Sequence, residues 1–348
     1  MKHPFFSLFS VFLLSLLSAR QLMAFELEVI TPYPVLGYQE LPFNTGTRPN
    51  NRTYSIWYPV SPKENGKPSA SPWDVFHVAA GAPIVTSKEK RAMIVLSHGY
   101  TGNAHNLSWL IRGLVYQGFI VIGIQHLDLI DGKVHINHWK RAEDIASMIT
   151  QFSRSTIADS ANLDQIGIAG FSLGGTTGIW IAGGRSTKLT TLIPGPDYAP
   201  PKDYVKAEEA LPTLNKYMMA KDWRDNRVKA AFIMAPAWAW LFDEESLQAI
   251  TIPTYIIAFE GDKVLVTKNN AGYFAKMIPK AFYQEILGKG DHYIFVSLLD
   301  NDQRKKADPS NELAYLFKDD TSVDRRWIQI QVIEKAVRFF RSVFKPQS

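Results

Sequence analysis

The chain has 348 residues, 46% of them hydrophobic, with 20 Pro, 22 Gly and no Cys. This composition is typical of a packed globular protein, and the lack of cysteine excludes disulfides, a cysteine nucleophile and a lipid attached through cysteine. The formal net charge is only +5 and no long Lys/Arg run occurs, so nucleic acid is not expected as a partner.

The first 24 residues predict a secretory signal peptide. Lys2 and His3 precede an apolar run from Phe5 to Leu17, and smaller residues follow up to Ala24. The run is shorter than the roughly 20 residues that a membrane-spanning helix needs, although a permanent anchor is the alternative. We expect export to the periplasm or the medium, and a single mature domain over residues 25–348.

Two early segments predict peripheral structure. Arg52 to Pro59 alternates polar and apolar residues as an antiparallel strand does and ends at a proline, which predicts a strand at a sheet edge. Residues 61–90 are rich in Pro, Ser, Lys and Gly and predict a surface loop.

From residue 92 onward, apolar runs alternate with segments of helical spacing. The predicted strands are 92–97, 119–124, 165–171, 228–234, 252–259 and 281–287. The clearest predicted helices are 139–152, 176–182 and a closing amphipathic helix over 328–344. Apolar strands separated by helices indicate a mostly parallel sheet with helices on both faces, which predicts an α/β fold.

The segment Ile166–Gly175 joins a predicted strand to a predicted helix through the pentapeptide Gly-Phe-Ser-Leu-Gly. A nucleophilic serine on such a sharp turn needs small neighbours, which Gly170 and Gly174 supply, and stands close to a helix N-terminus. We therefore predict that Ser172 is the nucleophile of a serine hydrolase.

A serine hydroxyl needs a base, and His292 is the histidine that follows the last predicted strand. The order nucleophile, acid, histidine places the acid after the strand that ends at Phe259. Asp262, beyond Gly261, is the predicted acid that orients His292, and Glu260 is the alternative.

The negative oxygen of a tetrahedral intermediate needs backbone N–H donors. We predict the amide of Leu173, which follows the nucleophile, and the amide of Tyr100 in the loop after the first core strand. Gly99 and Gly102 flank Tyr100 and allow the backbone to approach a substrate closely.

The segment between Gly184 and Arg227 interrupts the alternation with proline-rich pieces around a helix predicted over 205–219. Four apolar residues recur there at roughly helical spacing: Leu211, Leu214, Tyr217 and Met218. This insertion follows the helix after Ser172, so it is interpreted either as a surface excursion or as a cap beside the site.

Two further clusters have two interpretations each. A group of potential metal ligands follows the second core strand: His126, Asp128, Asp131, His135 and His138. No second ligand pair is fixed by spacing, so a loop without metal is preferred to a metal site. The aromatic stretch 235–242 either packs in the core or lines an acyl pocket.

These motifs resemble the exported predicted dienelactone hydrolases, which are close to the platelet-activating-factor acetylhydrolases within the α/β-hydrolase superfamily. The residues that carry the resemblance are Gly37-Tyr38, 56–59, 97–99, 141–145, 170–175, 227–231, 235–236, 261–262 and 290–295. Gly99-Tyr100-Thr101 is also similar to the oxyanion loop of secreted polyester and cutin hydrolases. Dienelactone hydrolases use a cysteine nucleophile, so their substrate is not assigned to this chain.

The resemblance implies a Ser-Asp-His esterase that needs no cofactor. The expected substrate is a carboxylic ester, either a small molecule or a lipid such as an acetylated phospholipid, or a polyester surface. Transient contact with a membrane or polymer surface is expected for the last two, and the oligomeric state stays open. The alternatives are an acyltransferase that uses the same residues and a non-catalytic binding member of the fold.

Overall fold

The computed structural model describes residues 35–45, 52–130, 133–134, 138–188 and 215–345. The predicted signal peptide lies outside these residues. So do Leu211, Leu214 and most of the 184–227 insertion. Within the described ranges, no helix is both long and apolar enough to cross a membrane.

Among the described residues, a mixed sheet of ten strands forms the centre of the fold. Its strands, in chain order, are β1 Val35–Phe43, β2 Arg52–Tyr58, β3 Lys67–Pro68, β4 His77–Ala80, β5 Arg91–Ser97, β6 Ile120–Ile124, β9 Ala161–Phe171, β10 Val228–Met234, β11 Thr254–Phe259 and β12 Ala281–Ile286. A separate two-stranded sheet pairs β7 Leu129–Ile130 with β8 Lys133–Val134.

The strand order in the sheet is β12-β11-β10-β9-β5-β6-β2-β1-β4-β3. The six strands from β12 to β6 run parallel, whereas β2 is antiparallel to both β6 and β1. These six parallel strands are the ones that the sequence predicts. Because they run parallel, their carboxyl ends lie at one edge of the sheet.

Helices cover both faces of the sheet. They are α1 Ser108–Tyr116, α2 Trp139–Phe152, α3 Leu173–Ala182, α4 Lys216–Ala220, α5 Glu244–Gln248, α6 Ala271–Met277, α7 Asn301–Ala307 and α8 Arg325–Phe344. Short 3₁₀ turns occupy Ala104–Leu107, Thr156–Ser160, Ala239–Leu241, Thr267–Asn269, His292–Phe295 and Ala314–Phe317.

Two apolar clusters form the core, one on each face of the sheet. The first contains the buried side chains of α2, α3 and α6, and the second contains those of α1 and α8. Fully burying one large apolar side chain stabilises a fold by about 1.5–3 kcal/mol, so this two-sided packing fixes the helices on the sheet. The predicted α/β fold with helices on both faces is confirmed.

The closing helix α8 begins three residues before the predicted Ile328. Asp324 caps it, because a carboxylate oxygen of Asp324 accepts the amide of Trp327 at 3.0 Å. An acidic cap satisfies one of the amides that the first helical turn leaves without a partner.

Two predictions for the early segments are wrong. Strand β2 lies inside the sheet, between β6 and β1, because strands β1, β4 and β3 continue the sheet beyond it. Residues 61–90 are more than a surface loop, because they contain β3 and β4 and bury Trp73 and Phe76 in the second apolar cluster. Isolated aromatic residues among Pro, Ser and Lys give no periodicity, so the pattern missed them.

Candidate active site

The carboxyl ends of the parallel strands bring the predicted site residues together. Ser172 follows β9, Asp262 follows β11, His292 follows β12, and Tyr100 lies in the loop after β5. In open α/β sheets, crevices at this edge are the usual place for ligands. Residues far apart in the sequence therefore meet at one place.

Ser172 occupies a sharp turn between β9 and α3, with φ 55° and ψ −120°. Such a positive φ is uncommon for a residue with a side chain and is held in place by its surroundings. The Ser172 amide donates to the Met234 carbonyl at 2.9 Å. A Cβ at Gly170 would collide with the Gly174 carbonyl, and one at Gly174 with the Ser97 carbonyl, so this turn requires both glycines.

His292 lies in hydrogen-bond contact with the hydroxyl of Ser172. Its Nε2 is 3.0 Å from Ser172 Oγ, and its ring packs against Phe171 with 4.8 Å between ring centroids. Asp291 accepts the amide of His292 at 2.7 Å and the amide of Lys263 at 3.1 Å. Asp291 thereby joins the loop that carries His292 to the loop that carries Asp262.

Asp262 contacts the other ring nitrogen of His292, at 2.7 Å between Oδ2 and Nδ1. Its Oδ1 accepts the amides of Val264 at 2.9 Å and Leu265 at 2.7 Å, and the residue is 8% exposed. Glu260, the alternative acid, accepts the amide of Gly288 at 3.1 Å instead. Asp262 is therefore the carboxylate that the structure brings to His292.

This arrangement determines which ring nitrogen of His292 is able to accept a proton. An ionised carboxylate only accepts hydrogen bonds, so His292 Nδ1 carries the proton and donates it to Asp262. His292 Nε2 is then left to accept the proton of Ser172, which is the role of a general base. The tautomer is assigned from the partners of the ring.

Tyr100 and Leu173 line the same cleft as Ser172. Leu173 is the first residue of α3, and the first amides of a helix have no carbonyl partner within it. The loop that carries Tyr100 passes close to the nucleophile, because a Cβ at Gly99 would lie 3.6 Å from Ser172 Cβ. Both residues that would supply the predicted oxyanion donors therefore line the cleft that contains Ser172.

The cleft over Ser172 has a volume of about 250 Å³. Val264 and Leu265 line it near Asp262, and Ala237 and Trp238 line it after β10. The aromatic stretch 235–242 thus packs in the core, where Leu241 and Phe242 belong to the first apolar cluster, and also contributes to the lining of the cleft.

A further wall of the cleft comes from residues that the sequence analysis missed. Ala307, Leu313, Tyr315 and Leu316 lie between His292 and α8 and line the cleft from one side. We call this segment, residues 307–316, the C-terminal wall. Its only signal in the sequence is the short apolar run Leu313–Phe317 within a polar stretch.

The C-terminal end of the 184–227 insertion, residues 215–227, does not line the cleft. Tyr217 is 90% exposed, and Met218 packs against the first apolar cluster. Neither residue is among the described residues that line the cleft. The choice between a surface excursion and a cap depends mainly on residues 189–214, which lie outside the described ranges.

A second Ser-His-Asp arrangement lies inside the core. Ser97 Oγ is 3.1 Å from His126 Nε2, and His126 Nδ1 is 2.9 Å from a carboxylate oxygen of Asp144. Ser97 and Asp144 are fully buried, and Arg52 donates to both carboxylate oxygens of Asp144. Burial, with a smaller contribution from Arg141, lowers the pKa of His126 to about 4.

The potential metal ligands after the second core strand contact different partners. Asp128 pairs with Arg141 at 2.6 Å, and His126 contacts Ser97 and Asp144. Among the described residues, no cluster of three or more His, Cys, Asp or Glu side chains could hold a metal ion. Asp131 and His135 lie outside the described residues.

The parallel sheet, the helices on both faces and the sharp turn at Ser172 define an α/β-hydrolase fold. Residues 80–216 match the family model described as PETase, PET hydrolase-like. The match contains Tyr100, Ser172 and Leu173 and ends before Asp262. The expected similarity to polyester hydrolases is confirmed, and it indicates a serine-type hydrolase of ester bonds. None of the curated proteins compared with the chain matches it.

Proposed function

We propose that this protein hydrolyses carboxylic esters through an acyl-enzyme at Ser172, with His292 as the base and Asp262 as the acid that orients it. The observation that carries the proposal is the continuous contact from Ser172 Oγ to His292 at 3.0 Å and from His292 to Asp262 at 2.7 Å. Ser172 is only partly buried and lines an open cleft, so a substrate can reach it.

The reaction has two halves. Ser172 Oγ attacks the ester carbonyl carbon while its proton passes to His292 Nε2, and the amides of Tyr100 and Leu173 donate to the negative oxygen. The bond to the alcohol oxygen breaks, and His292 gives its proton to that oxygen. Water then attacks the acyl-enzyme with the help of His292 and releases the acid.

Asp262 stays ionised throughout this cycle. Its carboxylate holds the His292 ring in the correct tautomer and stabilises the imidazolium that forms in each half. The amides of Val264 and Leu265 fix the position of the carboxylate, so the ring is oriented before a substrate binds.

The cleft favours an ester with a small group on at least one side of the carbonyl. A volume of about 250 Å³ lies just below the roughly 300–1,000 Å³ typical of pockets for drug-sized ligands. A long chain, such as a polyester, would have to continue out of the cleft. Short-acyl esters and the ends or segments of a polyester chain are therefore the substrates that we propose.

A series of p-nitrophenyl esters of increasing acyl length tests this function, with Ser172→Ala as the control. We expect release of p-nitrophenol that depends on Ser172 and falls for long acyl chains. Products formed with added alcohol distinguish hydrolysis from acyl transfer, since a transferase would give a new ester in place of the free acid. A wild-type rate equal to that of Ser172→Ala on every ester would contradict the proposal.

We also propose that residues 1–24 direct export of the protein. The proposal rests on the charged start, the apolar run and Ala24 in the sequence. N-terminal sequencing of the protein recovered outside the cytoplasm should begin at or near Phe25. An intact Met1 on that protein would contradict cleavage.

A further inference from the structure

A buried guanidinium group lies beneath the loop that carries Tyr100. Arg141 belongs to α2 and is 2% exposed. Its Nη1 donates to the His98 carbonyl at 2.7 Å, and its Nη2 donates to the Gly99 carbonyl at 3.0 Å. One side chain thus holds two consecutive peptide groups of the loop.

The Gly99 carbonyl and the Tyr100 amide belong to the same peptide group. That group is planar and trans, so its N–H points away from the direction in which its C=O points. Arg141, at 3.0 Å, His98 Nδ1, at 2.6 Å, and the Gly102 amide, at 3.2 Å, all donate to the Gly99 carbonyl. Holding this oxygen from the protein side therefore directs the Tyr100 N–H away from Arg141.

Those three bonds also strengthen the Tyr100 amide as a donor. Hydrogen bonds in a chain polarise one another, and bonds from a charged donor are about twice as strong as neutral ones. A guanidinium on the Gly99 carbonyl withdraws electron density from the peptide nitrogen. The Tyr100 N–H becomes more positive without any cation entering the cleft.

Asp128 fixes both Arg141 and the next residue of the loop. It accepts from Arg141 Nε at 2.8 Å and Nη2 at 2.6 Å, and from the Thr101 amide at 2.7 Å. Thr101 has a φ of 54°, a strained value for a β-branched residue that this bond helps to hold. Burial would raise the pKa of Asp128, but the attraction of Arg141 and its hydrogen bonds outweigh burial and lower that pKa.

His98 completes the arrangement as a neutral side chain. A carbonyl only accepts, so His98 Nδ1 carries the proton that it shares with the Gly99 carbonyl. His98 Nε2 accepts the amide of His126 at 2.8 Å. Burial and the charge of Arg141 hold the pKa of His98 well below its ordinary value, which keeps the ring neutral, and its two hydrogen bonds select this tautomer.

We propose that Arg141 and Asp128 are positioning residues of the oxyanion hole: they aim and polarise the Tyr100 amide that stabilises the negative oxygen of the intermediate. This proposal rests on the proposed function, because it assigns these two residues to the step in which Ser172 attacks. It gives the Arg141–Asp128 pair a role in the rate of the reaction as well as in the fold.

Arg52 offers a matched control for Arg141. It is also a buried arginine, it also binds both carboxylate oxygens of an aspartate, Asp144, and it also donates to a carbonyl, that of Gln125, at 2.8 Å. Asp144 and Gln125 both lie outside the loop of residues 98–101. Lys and Gln substitutions at each arginine therefore separate loss of a buried ion pair from loss of support for Tyr100.

The first measurement is the separation of kcat from KM on a p-nitrophenyl ester. Removing one oxyanion donor costs about 10²–10³ in kcat, so a misdirected donor in Arg141→Lys and Arg141→Gln should cost roughly 10–100-fold. We expect KM to change less than about threefold, because the ground-state carbonyl makes little use of the donor. Arg52→Lys and Arg52→Gln should lower the melting temperature while kcat per folded molecule stays within about threefold.

The second measurement uses a trifluoromethyl ketone as a probe of the negative oxygen. Ser172 Oγ adds to its carbonyl carbon, the proton passes to His292, and the ketone oxygen becomes the anion that the amides hold. Its inhibition constant should rise in the Arg141 variants by about the same factor as kcat falls. Asp128→Asn, which keeps an acceptor for Thr101, should give a smaller loss in the same direction.

The outcomes decide between three cases. Equal kcat losses in the Arg141 and Arg52 variants, or an unchanged inhibition constant in the Arg141 variants, would overturn the positioning role while Ser172→Ala still abolishes activity. If Ser172→Ala keeps wild-type activity, the proposed function itself fails. If the Arg141 variants do not fold, Asp128→Asn tests the positioning role instead. An unchanged kcat and an unchanged inhibition constant in Asp128→Asn would overturn that role.

Discussion

Two Ser-His-Asp arrangements in this protein have almost the same hydrogen-bond lengths and opposite surroundings. At the cleft, His292 contacts Ser172 at 3.0 Å and Asp262 at 2.7 Å. In the core, His126 contacts Ser97 at 3.1 Å and Asp144 at 2.9 Å. Distances alone would not tell the two apart.

Their environments differ in three ways. Ser172 lies at a strained turn before a helix and lines a cleft, whereas Ser97 ends strand β5 and has no exposed surface. Asp262 is held by backbone amides, whereas Arg52 holds both oxygens of Asp144. A cation on the carboxylate weakens its pull on the imidazolium that catalysis requires. Access and the partners of the carboxylate therefore separate a candidate active site from a structural network.

The largest expected effect separates the two serines. Ser172→Ala should reduce kcat by about a millionfold, because loss of the nucleophile alone removes nearly the whole effect of a triad. Ser97→Ala should keep kcat within about threefold and change only stability. Steady-state rates on one p-nitrophenyl ester check both variants, and a large loss in Ser97→Ala would remove the distinction.

The two aspartates should differ next. Asp262→Asn should lower kcat roughly 10⁴-fold, since the wrong tautomer of His292 is then favoured. Asp144→Ala leaves Arg52 buried without its partner and should cost about 3–5 kcal/mol of unfolding free energy. Chemical denaturation and kcat, measured on the same samples, test whether Asp262→Asn mainly lowers the rate and Asp144→Ala mainly lowers the stability. Glu260→Gln is the control, and a greater loss in it than in Asp262→Asn would move the acid to Glu260.

A smaller effect compares the C-terminal wall with the described end of the insertion. Leu313→Ala enlarges the cleft and should shift the ratio of kcat/KM between long and short esters several-fold, since one methylene in a pocket is worth about 1–3 kcal/mol. Tyr217→Ala should leave that ratio unchanged, because the side chain is 90% exposed. The reverse result would favour the interpretation of the insertion as a cap over the C-terminal wall.

The pH dependence of stability should report the buried network. The pKa of His126 is about 4 in the folded protein, below the ordinary 6.5, so between these values the unfolded chain binds the proton and the folded protein does not. Stability therefore falls as pH drops from 6.5 to 4, by about 1.4 kcal/mol per unit for one histidine. Urea denaturation at several pH values measures this slope. In His126→Gln the slope should be shallower by about 1.4 kcal/mol per pH unit, the contribution of one proton. An unchanged slope would contradict the assignment of His126 as buried and neutral.

Periodicity predicted the parallel core well. The predicted strand 228–234 coincides with β10, and the other core strands differ by only a few residues, because buried parallel strands are continuous apolar runs. The contacts among Ser172, His292 and Asp262 followed from the order of strands and loops. Strands β1, β4 and β3, which continue the sheet beyond β2, were missed, since their mixed composition resembles that of loops.

Arg141 and the C-terminal wall show what sequence order cannot supply. Arg141 was noticed only as part of a family motif, because nothing in its neighbours indicates that its side chain reaches His98 and Gly99 across the sheet edge. Leu313 and Tyr315 follow His292 in a polar stretch, and their place in the cleft depends on how residues 297–324 fold back. Such roles come from long-range packing, which local pattern does not encode.

Covalent labelling tests the central claim most directly. Folded protein is treated with a fluorophosphonate, which reacts with an activated serine, and the labelled peptide is identified by mass spectrometry. We expect one adduct on Ser172, which is abolished by Ser172→Ala, forms more slowly in Asp262→Asn and is retained in Ser97→Ala. An adduct on another serine, or unlabelled Ser172 in folded protein, would contradict the assignment of Ser172 as the nucleophile.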